Sequence, residues 1–269
     1  MSILTDHFCT DRKIFLPVIH AVSAVQLREQ VLLACEAGGD GALCISHGLM
    51  YDSEVVSALA GMQAKREIPL SFCVGLNALG RPAPEVVALI DAFGGERSGI
   101  SLLWSDEGPG NAARQARMAL ARETHDWHGL YLAGAAFKYQ TPVPADQYAT
   151  VAAEIAGACD IVTTSGPGTG KPADLHKLRV MSAATRAVGV PLAVASGVDL
   201  GNVDAQARAG VDVFLVASSL ETRFGALDRE RVAELAGRIH AHARHLDPEP
   251  ADDDQPGGWN NYTVPDDMS

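Results

Sequence analysis

The feature that most constrains this chain is a regular alternation of two kinds of segment. Short apolar runs occur at 14–19, 42–45, 70–74, 100–104, 129–137, 161–164, 192–195 and 213–216. Helix-spaced amphipathic runs follow them at 23–37, 52–65, 84–93, 111–124, 145–157, 173–188, 202–209 and 228–245. Strict βα alternation with connections of a few residues predicts a parallel sheet with helical crossovers. Eight such units in about 250 residues is the size of a closed (β/α)8 barrel. An open doubly wound sheet would carry a Gly-rich phosphate loop after its first strand, and His20-Ala21-Val22-Ser23 stands there instead. The expected fold is therefore α/β, a single-domain (β/α)8 TIM barrel over 1–246. Pro17 predicts a bend in the first strand.

Residues 247–269 read differently. They hold seven acids, no Lys or Arg, and several Pro and Gly, so a flexible acidic tail is expected. Trp259 and Tyr262 are the residues that could dock it on the barrel or on a neighbouring subunit. The tail accounts for much of the net charge of −12, leaving the body at 26 acids against 21 bases. Neither part offers the basic surface that binding a phosphate backbone requires, so nucleic acid is not an expected partner. No apolar run approaches the roughly 20 residues that cross a bilayer, so no membrane insertion is expected. Asp6, His7 and Asp11 break any signal-peptide order at the start, and a cytoplasmic address and a homo-oligomer are the expectations. The five cysteines (Cys9, Cys35, Cys44, Cys73, Cys159) form no C-x-x-C pair, which indicates neither a disulfide framework nor a zinc cluster.

In a (β/α)8 barrel the chemistry lies at the C-terminal strand ends. Here these offer His20, Ser46-His47, Gly75 with Asn77, Trp104-Ser105-Asp106-Glu107, Lys138-Tyr139, Thr164-Ser165-Gly166, Ser196-Gly197 and Ala217-Ser218-Ser219. Lys138 can hold a phosphate or carboxylate, stabilise an oxyanion, form a Schiff base, or pair structurally with Asp106 or Glu107. His20 and His47 are candidate general acids or bases, or hydrogen-bonded fixtures. A metal site would need both histidines and a third ligand such as Asp106; a divalent metal is possible without direct support, and no cofactor is predicted. Asp106 and Glu107 supply carboxylates for proton transfer. Asp40, Asp160 and Asp212 precede strands at the opposite face, where a charge reads as stability.

The last three strand–loop units are rich in Gly, Ser and Thr, which suits an anion, most often a phosphate. The candidate ligand contacts are Asn77, Thr164, Gly166, Gly168, Thr169, Gly170, Ser196, Gly197, Val198, Asn202, Ser218 and Ser219. The loop Gly166-Pro167-Gly168-Thr169-Gly170-Lys171 is not a nucleotide P-loop. The first Gly of that motif falls on Ser165, and Pro172 stands where a hydroxyl should follow the Lys.

Several of these motifs together resemble the BtpA family (BtpA/SgcQ-like). They are Val74-Gly75-Leu76-Asn77, the run from Cys159 to Gly170, Ala195-Ser196-Gly197-Val198 with Asn202-Val203, Val216-Ala217-Ser218-Ser219-Leu220, and Phe137-Lys138. The resemblance spans about 14–239 and implies a phosphate-binding type of TIM barrel without an established activity. The chain departs from the family at Ala21-Val22-Ser23, Ser46-His47, Tyr139, Ala217 and Glu221, which marks it as a divergent member. The expected function is acid–base chemistry on a small phosphorylated metabolite, a sugar phosphate or nucleotide. The alternatives are a non-catalytic factor binding a phosphometabolite or a protein, and a metal-dependent hydrolase.

Overall fold

The computed structural model describes residues 2–108 and 110–244. The expected tail, with Trp259 and Tyr262, lies outside them. Eight parallel strands close on themselves in sequence order: β1 Ile14–His20, β2 Gly41–Ile45, β3 Cys73–Asn77, β4 Ile100–Ser105, β5 Leu130–Gly134, β6 Ile161–Ser165, β7 Leu192–Ala195 and β8 Val213–Val216. Closure comes from the pairing of Ile14–Pro17 with Val213–Val216. Helices α2 (Ala24–Glu36), α3 (Asp52–Ala64), α4 (Ala83–Ala92), α5 (Ala112–Thr124), α6 (Tyr148–Ala156), α7 (Leu175–Arg186), α8 (Val203–Arg208) and α9 (Arg229–His240) form the outer ring. The expected (β/α)8 barrel is the observed fold.

Period-two alternation divides the core into two parts. Ile14, Leu16, Val18, Leu43, Ile45, Leu102, Trp104, Leu130, Leu132, Val213 and Leu215 fill the barrel interior. Phe15, Ile19, Cys44, Leu103, Tyr131, Val162, Val194 and Phe214 pack outward beneath the helices. Leu4 and Phe8 of α1 (Ile3–Phe8) join the interior set. This helix plugs the bottom of the barrel, where His7 O lies 4.0 Å from the Cys73 Sγ at the start of β3. The expected alternation does not include it, because six residues before the first strand carry too little periodicity to read.

Three acids knit the bottom face in one repeated way. Each directly precedes a strand and accepts an N–H from the preceding strand in the barrel. Asp40 takes Phe15 N at 2.8 Å, Asp160 takes Tyr131 N at 2.8 Å, and Asp212 takes Leu192 N at 3.4 Å. Each also has a basic side chain against it: Arg12 and His240 on Asp40, Arg122 on Asp160, and Lys13 and Arg186 on Asp212. Burial opposes ionisation of Asp40, but the bonds from His240, Arg12 and Phe15 carry its carboxyl below the ordinary value of 3.8. A depressed carboxyl contributes stability that is present above its unfolded value and lost as pH falls through the folded one. Asp40→Asn is therefore expected to flatten the loss of stability below about pH 4. Urea midpoints of both proteins between pH 5 and 3 check this; parallel curves would contradict it.

The structure corrects two strand boundaries. The third strand is Cys73–Asn77 rather than 70–74, because Phe72 N bonds to Pro69 O in a turn and leaves Leu70 exposed. The fifth ends at Gly134, after which Ala136 (φ 48°) and Tyr139 (φ 64°) turn the chain, so Lys138 sits in a loop and does not close a strand. Pro17 lies inside an unbroken β1. It lies where pairing passes from β8 (Ile14–Pro17) to β2 (Val18–His20), a handover at which the missing donor is tolerated.

Candidate functional site

The alternation that fills the barrel also selects the side chains at its mouth. On β1 the inward set 14, 16, 18 ends at His20; on β2, 43 and 45 lead to His47; on β3, 73 and 75 lead to Asn77; on β4, 102 and 104 lead to Asp106. These four do meet. The His20 and His47 rings lie 5.0 Å apart at 50°, and Asn77 Nδ2 donates to Asp106 Oδ1 at 3.0 Å. Asn77 Oδ1 is buried and has no partner among the described residues, so it is free to accept from a ligand.

Burial pushes the Asp106 carboxyl up, against the opposing pull of Asn77, Lys138 and His47. Burial also lowers the His47 imidazole, reinforced by His20 and Lys138 and opposed by Asp106 and Glu221. His47 has a left-handed backbone, φ 46°, a conformation that non-glycine residues adopt mainly under local constraint.

Two site groups carry no marking in a strand-by-strand reading. Between β8 and α9 the chain makes a hairpin, β9 (Glu221–Arg223) and β10 (Ala226–Leu227), not foreseen from its sequence. Glu221 Oε1 lies 2.7 Å from His20 Nδ1, and Phe224 at the hairpin tip stacks on the His20 ring, centroids 4.6 Å apart at 7°. The only signal available was an acid and an aromatic shortly after the last strand. The second missed group is Lys177, in the first turn of α7, whose Nζ donates to Ala136 O at 2.6 Å and Ser165 O at 2.8 Å. Burial lowers its ammonium to about 8. It joins the loops after β5 and β6 from beneath.

The polar loops spend most of their side-chain hydrogen bonds on one another. Thr164 Oγ1 reaches Ala136 O, Ser196 Oγ donates to Gly168 O and accepts from Gly170 N, and Asn202 Nδ2 holds Gly197 O at 2.7 Å. Gly166 and Gly197 are packed on the 171–172 backbone. A Cβ on Gly197 would come within 2.2 Å of Lys171 C and Pro172 N, and one on Gly166 within 2.1 Å of Lys171 O. Lys138 Nζ reaches Thr169 Oγ1 at 3.4 Å, and Tyr139 OH bonds the same hydroxyl at 3.0 Å. Numbering each loop by the strand it follows, Ser219 Oγ ties loop 8, after β8, to loop 7, after β7, through Val198 O at 2.6 Å. Among the described residues the backbone N–H groups of Gly197, Val198, Ser218 and Ser219 donate no hydrogen bond. The structure therefore gathers the candidate residues into an acid–base cluster from strands 1 to 4 and a second group of interlocked loops after strands 5 to 8.

No group of three or more His, Cys, Asp or Glu among the described residues is arranged to hold a metal ion. No described helix is long and apolar enough to cross a membrane. These features define a (β/α)8 TIM barrel with a titratable mouth. No protein-family model matches the chain, and no curated protein matches it. Solved structures do. The chain is similar to (S)-3-O-geranylgeranylglyceryl phosphate synthase from Thermoplasma acidophilum, in complex with its substrate sn-glycerol-1-phosphate. Identity is 14% and TM-score 0.61, over 90% of this chain and 99% of that one. It is similar to 3-hexulose-6-phosphate synthase at 18% identity and TM-score 0.57, over 85% and 98%. Phosphoribosyl anthranilate isomerase from Thermus thermophilus matches at 14% and 0.53, again over 85% and 98%. Likeness at these identities establishes the fold.

Proposed function

We propose that this protein is an enzyme acting by acid–base chemistry on a small phosphorylated metabolite at the C-terminal mouth of the barrel. The observation that carries the reading is the pairing of two kinds of group at one end of the molecule. His20, His47 and Asp106 gather there as proton carriers. On the adjoining loops 7 and 8, tied by Ser219 and Val198, four backbone N–H groups are left to donate. Backbone donors on short Gly- and Ser-rich turns suit phosphate oxygens. Lys138 is half-buried beside Thr169 and supplies the cation. The three similar structures named above are, by their own descriptions, enzymes whose names include a phosphorylated compound, which supports the substrate class.

The titratable groups divide the work. Asp106, its carboxyl raised by burial, is suited to give a proton, and an imidazole to take one. The Asn77 Oδ1 acceptor fits a substrate hydroxyl or amide. The finer assignment, a divergent BtpA-like protein, rests on the strand-end motifs from Val74 to Leu220 alone.

Thermal-shift screening against sugar phosphates, nucleotides and inorganic phosphate tests this reading. A ligand at a hundredfold its Kd adds about 2.7 kcal/mol of stability. Lys138→Ala is expected to keep the unliganded melting temperature while abolishing that shift and any turnover. An undiminished shift and full turnover in the variant would remove Lys138 from the site. Binding without turnover of any hit would favour a non-catalytic role.

A further inference from the structure

We propose that His20 Nε2 is the proton-accepting atom of the mouth, and that Glu221 and Phe224 of the β9–β10 hairpin are the positioning residues that hold it. The inference rests on the acid–base reading above and names its base.

The two imidazoles at the mouth are not equivalent. His20 Nδ1 lies 2.7 Å from Glu221 Oε1, and both side chains are largely buried. Burial disfavours the Glu221 anion, but the bonds from His20 and from Gly225 N carry its carboxyl below the ordinary range, so it is a carboxylate and accepts only. The shared proton therefore sits on Nδ1, and the lone pair of the neutral ring is at Nε2. His47 shows no such bond among the described residues, and its contacts there are ring contacts.

Four other histidines contact carboxylates: His125 with Asp91, His128 with Asp126, His240 with Asp40, and His242 with Asp204. None of them lies at the mouth. Those on Asp40 and Asp204 brace α9 and the segment after it, and the pair at Asp126 is wide open to water. The His20–Glu221 contact is the one that combines a strand end, burial and an aromatic face.

The hairpin that presents Glu221 and Phe224 is tied down along its length. Gly225 N donates to Glu221 Oε1 at 2.9 Å, Arg231 Nη1 to Glu221 O at 2.8 Å, and Leu227 N to Gln30 Oε1 at 2.7 Å. Gln26 Nε2 bridges His20 O and Gly225 O, locking the end of β1 to the hairpin tip. Parallel stacking of Phe224 fixes the ring plane and Glu221 fixes its rotation about that plane. In the forward step Nε2 forms an N–H bond with a proton from a substrate hydroxyl or a carbon acid beside a carbonyl. The electron pair of the broken bond stays on the substrate, Nδ1 keeps its proton, and the Glu221 carboxylate offsets the charge on the imidazolium. The reverse transfer returns the proton.

Two-bond 15N–1H correlation of the ring nitrogens in the full chain tests this directly. In the unliganded protein, the neutral His20 ring is expected to show a protonated Nδ1 and an unprotonated Nε2. Glu221→Gln keeps an acceptor and should preserve that tautomer. Glu221→Ala should switch the major neutral form to Nε2–H. Phe224→Ala, at an exposed tip, should shift the His20 ring protons downfield as the ring current is lost. A wild-type His20 carrying its proton on Nε2, or a tautomer unchanged in Glu221→Ala, would overturn the assignment; if that variant does not fold, the wild-type and Glu221→Gln spectra decide. Inorganic phosphate titrated into the same samples reads the wider proposal separately, since loops 7 and 8 should bind it in all three variants. Absence of phosphate binding with the expected tautomer would fault that proposal and leave the His20 assignment standing.

Discussion

Asp212→Ala is expected to cost about 3–5 kcal/mol of stability, the largest effect of any single change at the bottom of the barrel. Asp212 is 6% exposed and faces the Lys13 ammonium at 3.7 Å and the Arg186 guanidinium at 3.6 Å. Lys13 is itself 1% exposed, and among the described residues its Nζ otherwise donates to Val211 O, at 2.6 Å. Removing the carboxylate leaves a buried ammonium and a partly buried guanidinium together without their counter-ion. It also frees Leu192 N at the start of β7. The pH dependence carries a definite sign. Burial already lowers the Lys13 ammonium, against the pull of Asp212. Without Asp212 the folded state gives up that proton at still lower pH, while the unfolded chain keeps it to about pH 10.4. The unfolded state then binds more protons, so the deficit should shrink as pH rises toward the unfolded value of about 10.4. Urea unfolding at constant slope measures both effects. A deficit below about 1 kcal/mol, flat with pH, would mean that water reaches Lys13 and that the bottom clamp is a surface pair.

The second large effect belongs to the mouth. His20→Ala is expected to lower kcat about 10²–10⁴-fold on any phosphorylated substrate that the protein turns over, the usual contribution of a positioned general base. Its KM should move much less, since the proposed phosphate donors are on loops 7 and 8 and not on His20. Glu221→Gln, which keeps the hydrogen-bond acceptor but removes the charge, should fall between His20→Ala and the wild type. Equal losses in kcat and in binding would instead make His20 a structural part of the ligand pocket.

Much of the barrel is legible in the sequence because each βα unit must bury a strand on both faces, and that leaves a readable pair of periods. Asp40, Asp160 and Asp212 are legible for the same reason, since a charge next to a buried strand has to sit at its end. The acid–base cluster is partly legible. His20, His47, Asn77 and Asp106 share the inward parity of their strands, whereas Thr164, Ser196 and Ser218 carry the opposite parity. Two of these, Thr164 and Ser196, are bonded to neighbouring loops. Parity therefore separates residues that composition alone groups together. What remains hidden depends on three-dimensional return. Glu221 meets His20 across 201 positions of sequence, through barrel closure and a hairpin too short to show a period. Lys177 looks like an ordinary first-turn residue of an amphipathic helix until its ammonium is found beneath the loops after β5 and β6. The glycines of loops 6 and 7 suggest ligand approach in sequence, yet Gly166 and Gly197 make room for the backbone at 171–172.

The proposed grip of loops 7 and 8 on a phosphate, beside the proton-carrying mouth, underlies the whole functional reading. It is tested most directly by following the backbone amides of 15N-labelled protein during titration with inorganic phosphate and with ribose 5-phosphate. Saturable shifts are expected on Gly197, Val198, Ser218 and Ser219, with His20, His47 and Asp106 responding to the sugar phosphate but little to phosphate alone. Amides that stay unmoved at those four positions, or shifts centred on another face of the barrel, would contradict it.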